Sequence, residues 1–246
     1  QIEVNHTYQR DLRESQVKKI VAGFQWRKFG AVVLSRREDG LYNVVEGQHR
    51  IEAARQVELL QVPAIVVAHV DTQGEADSFI AINRDRLSVT SIEQYWAGLT
   101  ANDPIALQIS EVLKAADCDI VPAPGHYRPN LTNSPTAIAR CIARAGRVPT
   151  ERALRVIRKA WPEEAKALRG TLVTALARII KANLDTVDDD NLAEAIAGES
   201  FAKLTAHAEG FRKLSGGTAE TALSRTIAEL YNRGKRTNTI YFGAGG

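Results

Sequence analysis

Glu46-Gly47-Gln48-His49-Arg50 sets a carboxylate, an amide, an imidazole and a guanidinium around one glycine, and with its flanks, residues 41–55, it is the strongest local feature of the chain. It stands where a strand-like run, residues 41–45, gives way to helical spacing. A glycine at such a junction permits a tight turn and lets a ligand come close to the backbone. The amides that open the helix, with its dipole, form a cradle for phosphate. Arg50 can add bidentate contacts to phosphate oxygens, and His49 can donate a further hydrogen bond. The same junction also occurs as plain topology, and the residues by themselves leave both readings open.

A second constellation is electrostatic. Residues 41–125 hold 5 Lys/Arg against 12 Asp/Glu, residues 126–181 hold 12 against 3, and residues 182–200 hold six acids and no base. The middle block would attract an anionic polymer, although a solvated helical surface has the same composition. Within it, Arg140, Arg144 and Arg147 fall on one helical stripe, and Arg152, Arg155 and Lys159 repeat the arrangement opposite Leu154, Ile157 and Trp161. Joined through Gly146-Arg147-Val148-Pro149, the two segments are compatible with a helix-turn-helix that meets DNA. Such arginines supply phosphate contacts and no sequence readout by themselves.

The elements that position these groups follow from periodicity. Apolar residues at 17, 20, 21 and 24 predict a helix over 15–24; strands are expected at 31–35, 41–45 and 62–70, with helices at 50–57 and 75–82. From residue 91 the pattern is helical, at 91–101, 104–116, 135–146, 150–161, 162–182, 190–198 and 218–233. Ser134 before Pro135, Thr150, and Pro162 read as start signals. The proline-rich stretch at about 117–134 reads as a loop. These elements predict an α+β chain: a small mixed α/β domain over 1–90, then an all-helical domain over 91–246.

The box Gly47-Gln48-His49-Arg50 with Ala53-Ala54 resembles the phosphate-binding box of the ParB/sulfiredoxin superfamily, closest to the "DGQHR" type of ParB-like proteins, with Glu46 in place of the aspartate. Tyr8-Gln9-Arg10-Asp11-Leu12 is similar to the first ParB box, and Phe79-Ile80-Ala81-Ile82-Asn83-Arg84-Asp85-Arg86-Leu87 to the third. The resemblance implies phosphate contacts from Arg10, Gly47, Gln48, His49 and Arg50, with Asn83 and Arg86 closing the pocket. It also implies CTP or ATP with Mg²⁺ as cofactor. Two departures stand out. Ile82 occupies the place of a metal-holding glutamate and cannot ligate Mg²⁺, and Gln48 replaces the sulfiredoxin cysteine, which removes thiol chemistry at this site.

The implied function is a nucleotide-binding, DNA-associated protein of a phage, plasmid or other mobile element. One alternative is a nucleotide hydrolase or nuclease of the superfamily, with Glu46 as acid or metal ligand. The other is a protein-interaction module with a vestigial pocket. No apolar run reaches the ~18 residues of a membrane span. Cys118 and Cys141 lack a disulfide or zinc pattern, and the five histidines are scattered, so no metal site is expected and the setting is cytoplasmic. Trp26, Trp96 and Trp161 are too dispersed for a base-stacking platform and are expected in packing roles. The acidic run 185–190 reads as a solvated loop and helix cap. A homodimer stays open.

Overall fold

The computed structural model describes the chain except residues 1, 6–8, 10, 69–70, 85–87 and 243–246, with the backbone alone at 83 and 84. It divides into two units, Gln1–Ser88 and Val89–Gly246.

The first unit runs β1 (Ile2–Glu3), α1 (Glu14–Ala22), α2 (Trp26–Phe29), β2 (Val32–Arg36), β3 (Tyr42–Glu46), α3 (Gln48–Gln56), β4 (Ala64–Val67) and α4 (Thr72–Arg84). Its sheet has the order β1-β3-β2-β4, with β2 antiparallel to β3 and the other two pairings parallel. Alternation along β2 and β3 sends Val32, Leu34 and Val44 into a small core with Phe29, Ile51 and Ala54. β1 is too short to carry a periodic signal. β4 is an edge strand whose Ile65 and Val66 are exposed. α3 starts at Gln48, two residues before its predicted start, because Gly47 itself makes the turn.

The second unit holds the large core and is built from α5 (Ser91–Thr100), α6 (Pro104–Ala115), α7 (Pro135–Ala145), α8 (Arg147–Ala160), α9 (Gly170–Ala182), α10 (Asp189–Ala197), α11 (Phe201–Ser215) and α12 (Ala219–Asn232). The parallel pair β5 (Asp119–Ile120) and β6 (Leu131–Thr132) closes the proline-rich loop. α9 is its centre: Leu172, Val173, Leu176, Ile179 and Ile180 are all buried. Local chemistry sets several starts. Thr90 and Glu93 form a capping box on α5, and Asp103 accepts from the Ile105 and Ala106 amides ahead of α6. The molecule is thus a mixed α/β chain with small sheets and mostly helices.

Several expectations need correction. α8 begins at Arg147, so only Gly146 separates it from α7. Thr150 is therefore not a cap: it is buried, and its hydroxyl donates to the Gly146 carbonyl at 2.7 Å. Ser134 stands before α7 without capping it, because its hydroxyl donates to Asn133 instead. The predicted helix over 162–182 starts only at Gly170, where an added Cβ would lie 2.3 Å from the Ala137 Cβ. The chain thus enters α9 pressed against α7, after turns that bury Ala167 and Leu168. α11 is absent from the predicted helices because its apolar residues are few and interrupted by Lys203, His207 and Gly210. Trp26 is 54% exposed and packs against Phe24 and Phe29, whereas Trp96 and Trp161 pack against the helical core.

Candidate functional site

The first unit contains a cavity of about 630 Å³ into which α3 opens. Gly47 makes the opening possible: its φ is 103°, and a Cβ there would sit 2.7 Å from Val32 Cγ1. Glycine is thus required both by the left-handed backbone and by the close approach of β2. The first helical bonds run from the Arg50 and Ile51 amides back to the Gly47 carbonyl. The start of α3, with its dipole, accordingly points at the cavity, whose wall includes Gly47, Gln48, His49 and Arg50.

The side chains of the box have more specific duties than their types foretell. Arg50 donates through Nη1 to the Phe29 and Ala31 carbonyls at 2.7 and 3.0 Å, and through Nη2 to Glu46. It binds the α2–β2 connection to the end of β3, which makes it a positioning group on the cavity wall in this arrangement. Glu46, the candidate acid, is the other half of that ion pair. His49 accepts at Nε2 from the Arg13 amide at 3.1 Å, tying α3 to the entry of α1. A neutral ring in that contact carries its proton on Nδ1. Gln48 is buried in the wall.

The first box contributes Gln9, which is buried and donates through Nε2 to the Val44 and Val45 carbonyls at 2.7 and 3.1 Å. It reaches the same cavity. Arg10 and Arg86 lie outside the described residues, as does the Asn83 side chain; the Asn83 backbone is in the last turn of α4.

Sequence reading missed the opposite wall. Arg13, Gln16, Lys19 and Gly23 line it from the α1 region, and Lys28 from α2. The spacing 13, 16, 19/20, 23 is one helical stripe, beside the buried Val17 face, and it was available in the sequence. The side chains of Arg13, Lys19 and Lys28 are exposed and make no ion pair among the described residues. They leave the cavity cationic, because its carboxylate, Glu46, is already matched by Arg50.

The second candidate site is less uniform than its sequence. Arg152 is held by Asp189 at 2.9 Å and by the Val187 carbonyl at 3.0 Å. Lys159 pairs with Asp190 at 2.7 Å, and Arg147 with Glu111 and Glu151 at 2.8 and 2.7 Å. Arg155 donates to the Ala115 carbonyl at 2.8 Å, and Arg158 to that of Ala116, so two arginines of α8 satisfy the C-terminal carbonyls of α6. Arg140 and Arg144, on α7, make no ion pair among the described residues. Lys181 joins them by donating to the Arg144 carbonyl. The acidic run performs the expected capping through Asp188, which accepts from the Asn191 amide, while its neighbours Asp189 and Asp190 pair with Arg152 and Lys159 of α8.

Among the described residues, no group of three or more His, Cys, Asp or Glu side chains is placed to hold a metal ion, and no helix is long and apolar enough to cross a membrane. Both cysteines are free and buried; burial pushes the Cys118 thiol up to about 12 and raises that of Cys141.

Comparison with known proteins gives a family and several distant structural likenesses, two of which follow. A structure titled as the C-terminally truncated chromosome-partitioning protein ParB from Caulobacter crescentus, complexed with CTP-gamma-S, aligns with a TM-score of 0.35 at 14% identity, covering 94% of this chain and 93% of that one. The same truncated protein complexed to the centromeric parS site aligns with a TM-score of 0.30 at 17% identity, covering 92% and 94%. No curated protein matches. The sequence model of a family of unknown function, DUF6551, matches residues 4–240, and the chain belongs to that family.

Proposed function

We propose that this chain is a ParB-like, nucleotide-binding and DNA-associated protein, of the kind carried by a phage, plasmid or other mobile element and working in the cytoplasm. The observation that carries the reading is the cavity. The 47–50 box, Gln9 of the first box and three cations of the α1–α2 region line one space at the start of a helix, and those cations have no ion pair among the described residues. A phosphate chain is the ligand that such a concave, amide-rich and cationic wall suits.

Lys19, Lys28 and Arg13 supply charge to the phosphates, and Gly47 and Gln48 the close backbone. Arg50 holds the wall in shape through Phe29, Ala31 and Glu46. Glu46 is a poor free base while it is paired, and Ile82 offers Mg²⁺ no oxygen. A Mg²⁺ ion would come to the site on the phosphates of CTP or ATP. Binding without fast turnover is the expected behaviour.

For DNA, the cations with charge to spare are Arg140 and Arg144 on α7, beside Lys181. Arg147, Arg152, Arg155 and Lys159 first serve the helical unit itself, and contribute to a duplex only through the surface they leave exposed. The protein-interaction reading, with an empty pocket, is the competitor.

A thermal-shift panel of CTP, ATP, GTP and ADP, with and without Mg²⁺, tests the nucleotide reading. Stabilisation by a triphosphate, lost in the double variant Lys19→Ala/Lys28→Ala, is the expected result. No shift with any nucleotide would move the interaction module ahead.

A further inference from the structure

The cavity has a second kind of wall that phosphate does not require. Phe24 follows α1, Trp26 and Phe29 belong to α2, and the three rings pack mutually edge-on or tilted. Centroid separations are 5.2 Å for Phe24–Trp26, 5.7 Å for Phe24–Phe29 and 5.8 Å for Trp26–Phe29. These distances lie in the range in which aromatic quadrupoles attract. The members differ in burial. Phe29 is 3% exposed and belongs to the core, and Trp26 is 54% exposed on the outside. Phe24 stands between them, half-buried, and it lines the cavity.

The same short segment supplies charge. Lys19 and Lys28 stand on the wall that carries Phe24, and the Phe29 carbonyl is the acceptor that Arg50 holds at 2.7 Å. The ring wall is thereby linked to the start of α3. A space for inorganic phosphate or a sugar phosphate has no use for an aromatic side chain held in its wall. A volume of about 630 Å³ also exceeds what a phosphate chain alone fills, and lies within the range of sites for small organic ligands.

We infer that Phe24 is the stacking residue for a planar heterocycle, so that the cavity takes a free nucleotide, with the base against Phe24 and the phosphates between α3 and the α1 cations. This rests on the nucleotide reading above and adds to it the place of the base. Stacking on a phenyl face is tolerant of base identity, so Phe24 confers preference for nucleotides as a class over bare polyphosphate.

The test uses the full chain and compares inorganic tripolyphosphate with CTP, ATP and GTP by isothermal titration, in wild type, Phe24→Leu and Phe24→Tyr. Leucine keeps an apolar side chain of similar size against the small core, so folding is preserved and is checked by circular dichroism. Wild type is expected to bind at least one nucleotide about ten- to a hundredfold more tightly than tripolyphosphate. Phe24→Leu should erase that margin while leaving tripolyphosphate affinity within about twofold, and Phe24→Tyr should restore it. Equal affinity of wild type for tripolyphosphate and every nucleotide overturns the stacking role and leaves the phosphate site standing. A Phe24→Leu variant that weakens all ligands alike also overturns it, by showing that the ring only supports the wall. Absence of binding by tripolyphosphate and nucleotides alike would remove the underlying reading with it.

Discussion

Around the 47–50 cavity, Arg13, Lys19 and Lys28 are exposed and meet no carboxylate among the described residues. On α8, by contrast, Arg147, Arg152 and Lys159 each meet an acid. Charge counts along the chain pointed to the second region, since 126–181 is its basic block and 41–125, which contains the 47–50 box, is acidic. Availability runs the other way. A cation matched by a carboxylate a few ångströms away has spent most of its field locally, and only an unmatched one can serve a new anion. The acidic segment that follows the basic block pairs with Arg152 and Lys159. On α8, part of the segregation seen in sequence is thus offset in space, while Arg140 and Arg144 on α7 stay unmatched among the described residues.

The first region is most sensitive at its turn. Gly47→Ala places a side chain into a left-handed conformation and against Val32, at a cost of about 2–4 kcal/mol. Urea unfolding followed by tryptophan emission should show the destabilisation, together with loss of ligand-induced stabilisation. A variant as stable as wild type would show that β2 and the turn relax easily.

Removing the cavity cations should separate binding from stability. Lys19→Ala/Lys28→Ala is expected to lower triphosphate affinity about ten- to a hundredfold, in line with the removal of charge-assisted hydrogen bonds. Unfolding free energy should change by no more than ~0.5 kcal/mol, as for other exposed surface sites. Equal affinities by titration would remove α1 and α2 from the site.

The α8 cations should give the opposite pattern. Arg152 and Asp189 are 20% and 33% exposed, so their pair is neither a surface pair nor a sealed one. Arg152→Ala is expected to destabilise the helical unit by about 1–2 kcal/mol, between the surface and buried cases. Arg140→Glu/Arg144→Glu should leave stability unchanged and flatten the salt dependence of DNA binding by about two units, one for each phosphate no longer neutralised. Anisotropy titrations at several salt concentrations, beside thermal melts of both variants, check the pair. An unchanged slope for Arg140→Glu/Arg144→Glu with a flattened one for Arg152→Ala would reverse the assignment.

The smallest effect concerns the thiols. Burial disfavours the thiolate of Cys118, whose pKa is pushed up to about 12, and that of Cys141 in the same direction. At pH 8 neither should react with a disulfide reagent in the native protein, and both should appear on unfolding in urea. Fast native reaction of one thiol would reveal local opening of the helical core.

Periodicity alone placed most of the elements around the site, because β2, β3, α1 and the helices of the large core each bury one face and leave a repeating trace. The box at 47–50 was legible for a similar reason: a strand, a glycine and a helix start are local events written in consecutive residues. Other features depended on partners distant in sequence. Arg50 reaches the carbonyls of residues 29 and 31, Arg152 reaches Asp189, and the start of α9 is fixed by the closeness of Ala137 to Gly170. Nothing within a helical turn of any of these positions encodes that geometry. α11 stayed hidden because its buried positions, Phe201, Leu204 and Ala208, are too sparse for a periodic signal and gain their apolar neighbours only on packing with α12. Residue types set which side chains can bind an anion; folding set which of the described cations stay unmatched, because a charge is neutralised by what lies near it in space, whatever its distance along the chain.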